Sequence, residues 1–252
     1  MIRIFVVFIG KKLCYIFILI VSIILIVTLL FNIHLKIHPV NQFKDPNSEI
    51  IVIDPGHGGV DGGTNKDGVL EKVINLDISE KLKYFLELKG YSVIMTREDD
   101  ISLDHLNSSS KSRHMRDLNA RTNIINKSNA QLFLSIHVNC DLKKPLTDGA
   151  IVFYNDRLEQ NKLLAYSIQR VLNDIKVNGE KRTIHEPVKA KYFVLDKSNI
   201  PGVIVETAFI SNNRERKEMV TDTFKEETAK ALVTGIERYL SESDSVSSPF
   251  VR

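Results

Sequence analysis

Hydrophobic residues along this chain fall into two kinds of segment. Short continuous runs, rich in β-branched residues and bounded by glycine, proline or polar residues, are typical of buried strands. These runs cover residues 49–54, 91–95, 131–136, 149–154, 192–195 and 203–205. Longer stretches with apolar residues three or four positions apart are typical of helices with one buried face. They cover residues 69–88, 116–127, 158–177 and 214–240, the last with a break expected near 221–223.

The order of these segments predicts the fold class. Strands alternate with helices, which favours a single α/β domain with a mostly parallel or mixed central sheet flanked by helices. We expect this domain to span residues 49–240. The polar segment 97–112 is predicted to be a long exposed loop, and the serine-rich residues 241–252 a disordered tail.

The N-terminal segment is far more apolar than the rest. Leu13 to Phe31 is a run of 19 residues without a charge, which is long enough to span a bilayer. Three basic residues precede the run, and no small-residue cleavage pattern follows it. Residues 1–31 are therefore predicted to be an uncleaved signal anchor with one transmembrane helix, and residues 32–48 a tether. The alternatives are a cleaved signal peptide and a buried core helix.

Charge and cysteine content extend this picture. The first 31 residues hold three basic and no acidic side chains, so the formal charge of +3 belongs to this flank and the remainder is neutral. The composition thus gives no argument for nucleic-acid binding. The basic flank favours a cytoplasmic N-terminus and a domain on the outer face of a bacterial cell membrane. Cys14 and Cys140 lie too far apart in the chain to indicate a disulfide framework.

Three of the predicted strands lead to residues that bind metals or transfer protons. They lead to His57, which follows in a glycine-rich loop, to His137 and to Glu206. The carboxyl ends of parallel strands share one crevice, so these side chains are expected to meet. Two histidines and a carboxylate can hold a catalytic zinc and leave one position for water. A fourth group must then transfer protons, and Glu71, at the start of the next helix, is the other carboxylate available.

Several common motifs are missing from the sequence. The glycines after the first strand match neither a phosphate-binding loop nor a dinucleotide fingerprint. There is also no His-Glu-x-x-His helix, which excludes the common metalloprotease class as a sequence motif.

Taken together, the spaced motifs resemble the zinc-dependent N-acetylmuramoyl-L-alanine amidases of the Amidase_3 type. The matching pieces are Ile51–Gly59, Glu71 before an amphipathic helix, Met95–Arg97, Asp117–Arg121, Leu134–Asn139 and Val205–Asn212. The resemblance implies that His57, Glu71 and His137 hold one Zn2+ and that Glu206 is the catalytic acid and base. Glu206 as a fourth zinc ligand is the alternative.

Two further residues are candidates for supporting roles. Asp54 is predicted either to hydrogen-bond a ligand histidine on the side away from the metal or to form the turn before Pro55. Asn139 lines the site by analogy with similar amidases. Some relatives carry a self-inhibitory helix after the second histidine, but residues 138–148 are too short for one here. We therefore expect an open site.

The resemblance also implies a substrate. It implies hydrolysis of the amide between N-acetylmuramic acid and the L-alanine of the peptidoglycan stem peptide. The predicted organisation, one domain after an N-terminal anchor, is similar to that of the germination-specific amidases of spore cortex. In spore cortex this cleavage is the first step toward muramic δ-lactam. The alternatives are a non-catalytic wall-binding protein that keeps the fold and a zinc peptidase of the envelope. The implied partners are peptidoglycan and the membrane, with an activating protein partner left open.

Overall fold

The computed structural model describes residues 15–28 and 48–247. The chain forms two units, Met1–Asp45 and Pro46–Arg252. In the first unit, residues 15–28 form helix α1, whose side chains are exposed. Within the described residues, no helix has both the length and the apolar character needed to cross a bilayer. Residues 1–14 and 29–47, which include both ends of the predicted signal anchor and nearly all of the predicted tether, lie outside the described residues, so both stay predictions.

The second unit is built on a mixed six-stranded sheet. In chain order its strands are β1 (Ile50–Pro55), β4 (Ser92–Met95), β5 (Leu132–Asn139), β6 (Ile151–Tyr154), β9 (Val188–Lys189) and β10 (Gly202–Phe209). The spatial order is β4-β1-β5-β10-β6-β9. Strands β4, β1, β5 and β10 are parallel to one another. Strand β6 runs antiparallel to β10, and β9 runs parallel to β6. The predicted mixed α/β sheet is confirmed.

Helices cover both faces of this sheet. They are α2 (Glu71–Leu88), α3 (Arg113–Lys127), α4 (Glu159–Leu172), α5 (Phe193–Lys197), α6 (Asn213–Glu218) and α7 (Asp222–Ser247). The sheet has a hydrophobic core on each face, because alternate side chains of a strand such as β1 point to opposite faces. Ile51 and Ile53 join the core under α2, α4 and α7, whereas Val52 joins the core under α3 and α5.

Two short hairpins lie outside the main sheet. Strands β2 (Asn65–Lys66) and β3 (Val69–Leu70) pair just before α2. Strands β7 (Lys176–Val177) and β8 (Glu180–Lys181) pair after α4, around Asn178 and Gly179, which both have positive φ. The helix expected to reach residue 177 therefore ends at Leu172. The Asn-Gly pair is a strong hairpin signal that explains the difference.

Two other predictions change in detail. Residues 192–195 do not form a strand: α5 begins at Phe193 and buries the adjacent Val194 and Leu195. Short apolar runs do not distinguish strand from helix, which explains the error. The segment 97–112 includes a short 3-10 helix, Asp104–Leu106, and buries Arg97 and Leu103.

The C-terminal helices match the pattern more closely. The expected break near residues 221–223 is confirmed, because α6 ends at Glu218 and α7 begins at Asp222. Helix α7 continues to Ser247, so the first residues of the predicted disordered tail are helical. The buried Tyr239 and Leu240 anchor the helix just before this extension. Residues 248–252 lie outside the described residues.

Candidate active site

The glycines that follow β1 leave space for the side chains of the site. The Gly56 N–H donates to the Ile136 carbonyl, which holds the loop against β5. A Cβ at Gly56 would lie 2.2 Å from Cε1 of His137. A Cβ at Gly63 would lie 2.7 Å from both Glu71 Oε2 and His57 Cδ2. These positions exclude larger residues because the site side chains already occupy that space.

We expect Gly56→Ala to destabilise the protein by about 1–3 kcal/mol and to weaken metal binding, because the methyl group must displace the His137 ring. Thermal unfolding and zinc titration would measure the two effects. Gly62→Ala is the matched control in the same loop, since its Cβ would meet only Leu70 Cδ2, at 3.3 Å. Equal effects of the two substitutions would contradict this explanation.

His57 itself has a strained backbone. Its φ is 62°, in the left-handed region that non-glycine residues rarely adopt. Its carbonyl accepts a hydrogen bond from Arg121 Nη2 at 2.6 Å. Strained residues of this kind persist when the surrounding structure holds them, and they concentrate at functional sites.

Two buried arginines hold the backbone of this loop. Arg121 Nη1 donates to the Pro55 carbonyl at 2.7 Å. Arg97 donates to the same carbonyl through Nε at 3.0 Å and to the Gly56 carbonyl through Nη2 at 2.9 Å. Together with the bond to His57, these contacts supply hydrogen bonds to three consecutive carbonyls, of Pro55, Gly56 and His57. The motifs Met95–Arg97 and Asp117–Arg121 therefore each supply an arginine that holds the backbone of the loop.

Asp54 supports this arrangement rather than a histidine. Its carboxylate accepts hydrogen bonds from Arg121 Nη1 at 2.7 Å, Thr96 Oγ1 at 2.6 Å and Ser135 Oγ at 2.7 Å. Burial alone would raise the pKa of Asp54, but the Arg121 charge and these bonds lower it. The suggested support of a ligand histidine is therefore corrected: Asp54 acts on the loop through Arg121.

The structure brings His57, Glu71 and His137 together. Glu71 Oε1 lies 3.1 Å from His57 Nε2 and 3.0 Å from His137 Nδ1. One potential ligand atom from each residue lies within 4.8 Å of the others. The two imidazole rings stand edge to face, with centroids 5.1 Å apart.

Glu71 is fixed at the first turn of α2. Its Oε2 accepts from the Thr64 N–H at 2.9 Å, and its Oε1 accepts from the Val138 N–H at 3.3 Å. Burial would raise the pKa of Glu71, but the hydrogen bonds and charges of the two histidines hold it far below its usual range. Burial would likewise lower the pKa of His57, yet Glu71 and Asp61 raise it to about 9.

This donor set fits a zinc ion. Two imidazole nitrogens and a carboxylate oxygen are the ligands of many catalytic zinc sites. Ligand atoms around a tetrahedral zinc lie about 3.3 Å apart, for bonds of about 2.0–2.1 Å. The distances from Glu71 Oε1 to the two histidine nitrogens, 3.0 and 3.1 Å, are only slightly shorter. With three protein ligands, one position remains for water or substrate.

Glu206 lies beside this cluster. It stands in register with His137 on the neighbouring strands β10 and β5. Its Oε2 atom is buried and has no hydrogen-bond partner among the described residues. Burial raises the pKa of Glu206 to about 7, with the Glu71 charge adding to the effect and His137 and His57 opposing it. A carboxyl group with a pKa near neutrality can both take up and release a proton.

An open cavity of about 720 Å³ contains these groups. Asn139 lines it as expected, with its Oδ1 accepting from the Cys140 N–H at 2.7 Å. Residues 138–148, all described, form the end of β5 and a loop, and this segment contains no helix. The cavity also reaches His114 on α3, and Lys191 and Tyr192 before α5.

Sequence reasoning missed two of the side chains around the cluster. Asp61 Oδ2 lies 3.0 Å from His57 Nδ1, and its four-residue spacing from His57 in a glycine loop was the available signal. Tyr192 is 39 % exposed and lines the cavity. Burial raises the pKa of Tyr192 and the Glu206 charge adds to this; both residues line the same cavity. The incorrect strand assignment at residues 192–195 concealed it.

This fold and site define a class of protein. An α/β domain with a His-Glu-His cluster, a buried carboxyl group beside it and an open cavity has the design of a metal-dependent hydrolase. The family model of the N-acetylmuramoyl-L-alanine amidases, Amidase_3, matches residues 51–238. The chain therefore belongs to the N-acetylmuramoyl-L-alanine amidase family, and the family and enzyme class predicted from the sequence are confirmed.

Individual relatives agree with this assignment. The chain is 32% identical over 197 residues to the germination-specific N-acetylmuramoyl-L-alanine amidase of Bacillus subtilis, covering 78% of this chain and 81% of the relative. It is similar to the CwlD amidase of Clostridioides difficile, solved in complex with the GerS lipoprotein. That match has 37% identity and a TM-score of 0.69 and covers 77% of this chain and 100% of the other. An N-acetylmuramoyl-L-alanine amidase of Clostridium difficile 630 matches with 28% identity, a TM-score of 0.66 and coverage of 77% and 98%.

Proposed function

We propose that this protein is a zinc-dependent amidase that cleaves the bond between N-acetylmuramic acid and the L-alanine of the stem peptide. The observation that carries this proposal is the buried, unpartnered Glu206 oxygen next to the converging His57, Glu71 and His137. A wall-binding protein has no need of a carboxylate oxygen that is buried without a partner, because such an atom is destabilising. This favours an enzyme over a scaffold that keeps the fold.

His57, Glu71 and His137 would hold the zinc ion. When bound, zinc polarises a carbonyl oxygen and lowers the pKa of water. Glu206, as a carboxylate, takes a proton from the attacking water as the water oxygen bonds to the amide carbon. The C–N bond then breaks, and Glu206 gives that proton to the departing L-alanine nitrogen. The pKa of Glu206, about 7, suits a group that must act in both directions.

The walls of the cavity suit a large substrate. His114 and Leu118 on α3 and Lys191, Tyr192 and Phe193 at the start of α5 line it. Tyr192 is held by an edge-to-face contact with Phe153, with centroids 5.4 Å apart. A fixed, half-exposed aromatic ring offers a flat apolar surface to a sugar or a peptide, and Lys191 beside it offers a cation to the carboxylates of a stem peptide.

We place this activity in the spore cortex, on the outer face of a membrane. The similarity to the germination-specific amidase of Bacillus subtilis and to CwlD supports the cortex as the substrate. The uncharged run from Leu13 to Phe31, with basic residues before it, supports an N-terminal anchor. The CwlD structure contains the GerS lipoprotein, which supports a protein partner for this chain as well.

Mass analysis of muropeptides after digestion of purified cortex peptidoglycan tests the proposal. We expect release of intact stem peptides from the glycan, loss of this activity after treatment with a chelator, and recovery when zinc is added back. Shortened stems that remain attached to the glycan would indicate a peptidase instead. Binding of peptidoglycan without release of any peptide would indicate a scaffold.

A further inference from the structure

We propose that Asp61 is a positioning residue for zinc binding: it orients the His57 ring and fixes its Nδ1–H tautomer, so that Nε2 faces the metal. This inference rests on the proposed zinc site and assigns a role to a side chain outside the His57, Glu71 and His137 cluster. Asp61 does not join that cluster, because its carboxylate lies on the opposite side of the His57 ring from Glu71.

The two nitrogens of the His57 ring have different partners. Nδ1 lies 3.0 Å from Asp61 Oδ2, whereas Nε2 lies 3.1 Å from Glu71 Oε1. A neutral imidazole has one N–H group and one lone pair. A zinc-binding imidazole is neutral, and a carboxylate at Nδ1 would keep its one proton there, which would leave the Nε2 lone pair for the metal. Histidines that bind metals commonly donate their other N–H to a carboxylate in this way.

The position of the Asp61 carboxylate is itself fixed by the loop. The backbones of Gly58 and Asp61 exchange two hydrogen bonds, of 2.9 and 3.1 Å, which close the chain into a tight turn. The Gly63 N–H donates to Asp61 Oδ1 at 3.1 Å. Both carboxylate oxygens therefore have a partner, one in the loop backbone and one in the His57 ring.

The strained backbone of His57 makes such an orienting contact necessary. His57 has a φ of 62°, in the left-handed region, which is unfavourable for a residue with a side chain. Arg121 holds the carbonyl of His57 through the backbone, not through the ring nitrogens. The side chain of His57 is 24% exposed, so packing alone does not fix the ring. Glu71 contacts Nε2 and Asp61 contacts Nδ1, and the Asp61 contact is the one made from outside the donor cluster.

The alternative role for Asp61 is to shape the loop only. Asp100 provides a matched control, because it holds the same loop without contacting His57. Its Oδ1 accepts from the Gly59 N–H at 2.8 Å, and its Oδ2 pairs with Lys72 Nζ at 2.7 Å. A carboxylate that only shapes the loop would behave in the same way at either position.

The test compares Asp61→Ala, Asp61→Asn and Asp100→Asn in the full chain, with Zn2+ alone as the ligand. Competition with a chromophoric chelator gives the zinc dissociation constant, and thermal unfolding of chelator-treated protein gives the stability of each variant. We expect Asp61→Ala to weaken zinc binding about 10- to 100-fold, the range for residues that orient metal ligands. Asp61→Asn should lose less, since its amide oxygen can still accept the Nδ1 proton. Asp100→Asn should stay within about twofold of the wild type.

The tautomer of His57 provides a second measurement. Long-range 1H–15N spectra of the zinc-loaded protein should place the proton on Nδ1 in the wild type, and Asp61→Asn keeps the experiment informative if Asp61→Ala does not fold. Unchanged zinc affinity in Asp61→Ala, or an equal loss in Asp100→Asn, would overturn the inference while leaving the zinc site intact. A wild-type chain that binds no zinc would instead overturn the proposed function itself.

Discussion

Glu206→Gln is expected to lower the turnover number for amide hydrolysis by about 10²- to 10⁴-fold, the range for loss of a general acid and base. Glutamine keeps the size of the side chain but cannot take up and release a proton. Zinc affinity should stay close to that of the wild type, because Glu206 lies beside the donor cluster and not within it. Turnover on a muropeptide substrate and zinc titration measure the two quantities. Glu71→Gln is the contrasting variant, and it should lose zinc binding as well as activity.

The same substitution has a distinct effect on stability. Burial raises the pKa of Glu206 to about 7, so the folded protein holds this proton more tightly than the unfolded chain does. Stability is therefore lost as the pH rises from about 4.5 through about 7. In chelator-treated protein at pH 8, Glu206→Gln should be more stable than the wild type by up to about 3 kcal/mol. The difference should vanish near pH 4.5.

Each measurement can contradict the role of Glu206. Turnover retained in Glu206→Gln would assign the proton transfer to another group in the cavity. A strong loss of zinc would make Glu206 a fourth ligand, the alternative raised by the sequence. A stability difference that does not depend on pH would show that the ionisation of Glu206 has little influence on folding.

The central chemistry could be predicted from the sequence because the sheet order is simple. Strands β1, β5 and β10 are neighbours and parallel, so the residues at their carboxyl ends meet at one edge. This brings His57, His137 and Glu206 together without knowledge of any side-chain contact. Glu71 could be placed because it opens the helix that follows the glycine loop.

The supporting residues could not be predicted in this way. Arg121 contacts the loop across 64 and 67 sequence positions, and no local pattern encodes those pairings. The link between Asp61 and His57 depends on a left-handed backbone at a non-glycine residue, which residue type alone does not predict. Tyr192 was missed for a different reason, since a four-residue apolar run fits a strand and a short helix equally well.

Loss of Arg121 should destabilise the fold strongly. Its guanidinium donates through Nε to Asp117 at 2.6 Å and through Nη1 to Asp54 at 2.7 Å. Burial alone would lower the pKa of Arg121, but the charges of Asp54 and Asp117 outweigh it and raise the pKa. Removing one partner of a buried ion pair leaves an uncompensated charge. At this position Asp54, Asp117 and the carbonyls of Pro55 and His57 would each lose a hydrogen bond, and the two carboxylates would lose their shared positive charge.

We therefore expect Arg121→Gln to lower the free energy of unfolding by about 3–5 kcal/mol, measured by urea denaturation of chelator-treated protein. Arg116→Gln is the matched control on the same helix. Arg116 pairs with Asp104 at 3.1 Å, but both side chains are partly exposed, so its loss should change stability by about 1 kcal/mol or less. Because Arg121 also holds the strained His57 carbonyl, zinc affinity should fall in Arg121→Gln and not in Arg116→Gln. Equal stabilities of the two variants would show that the loop keeps its shape without this guanidinium.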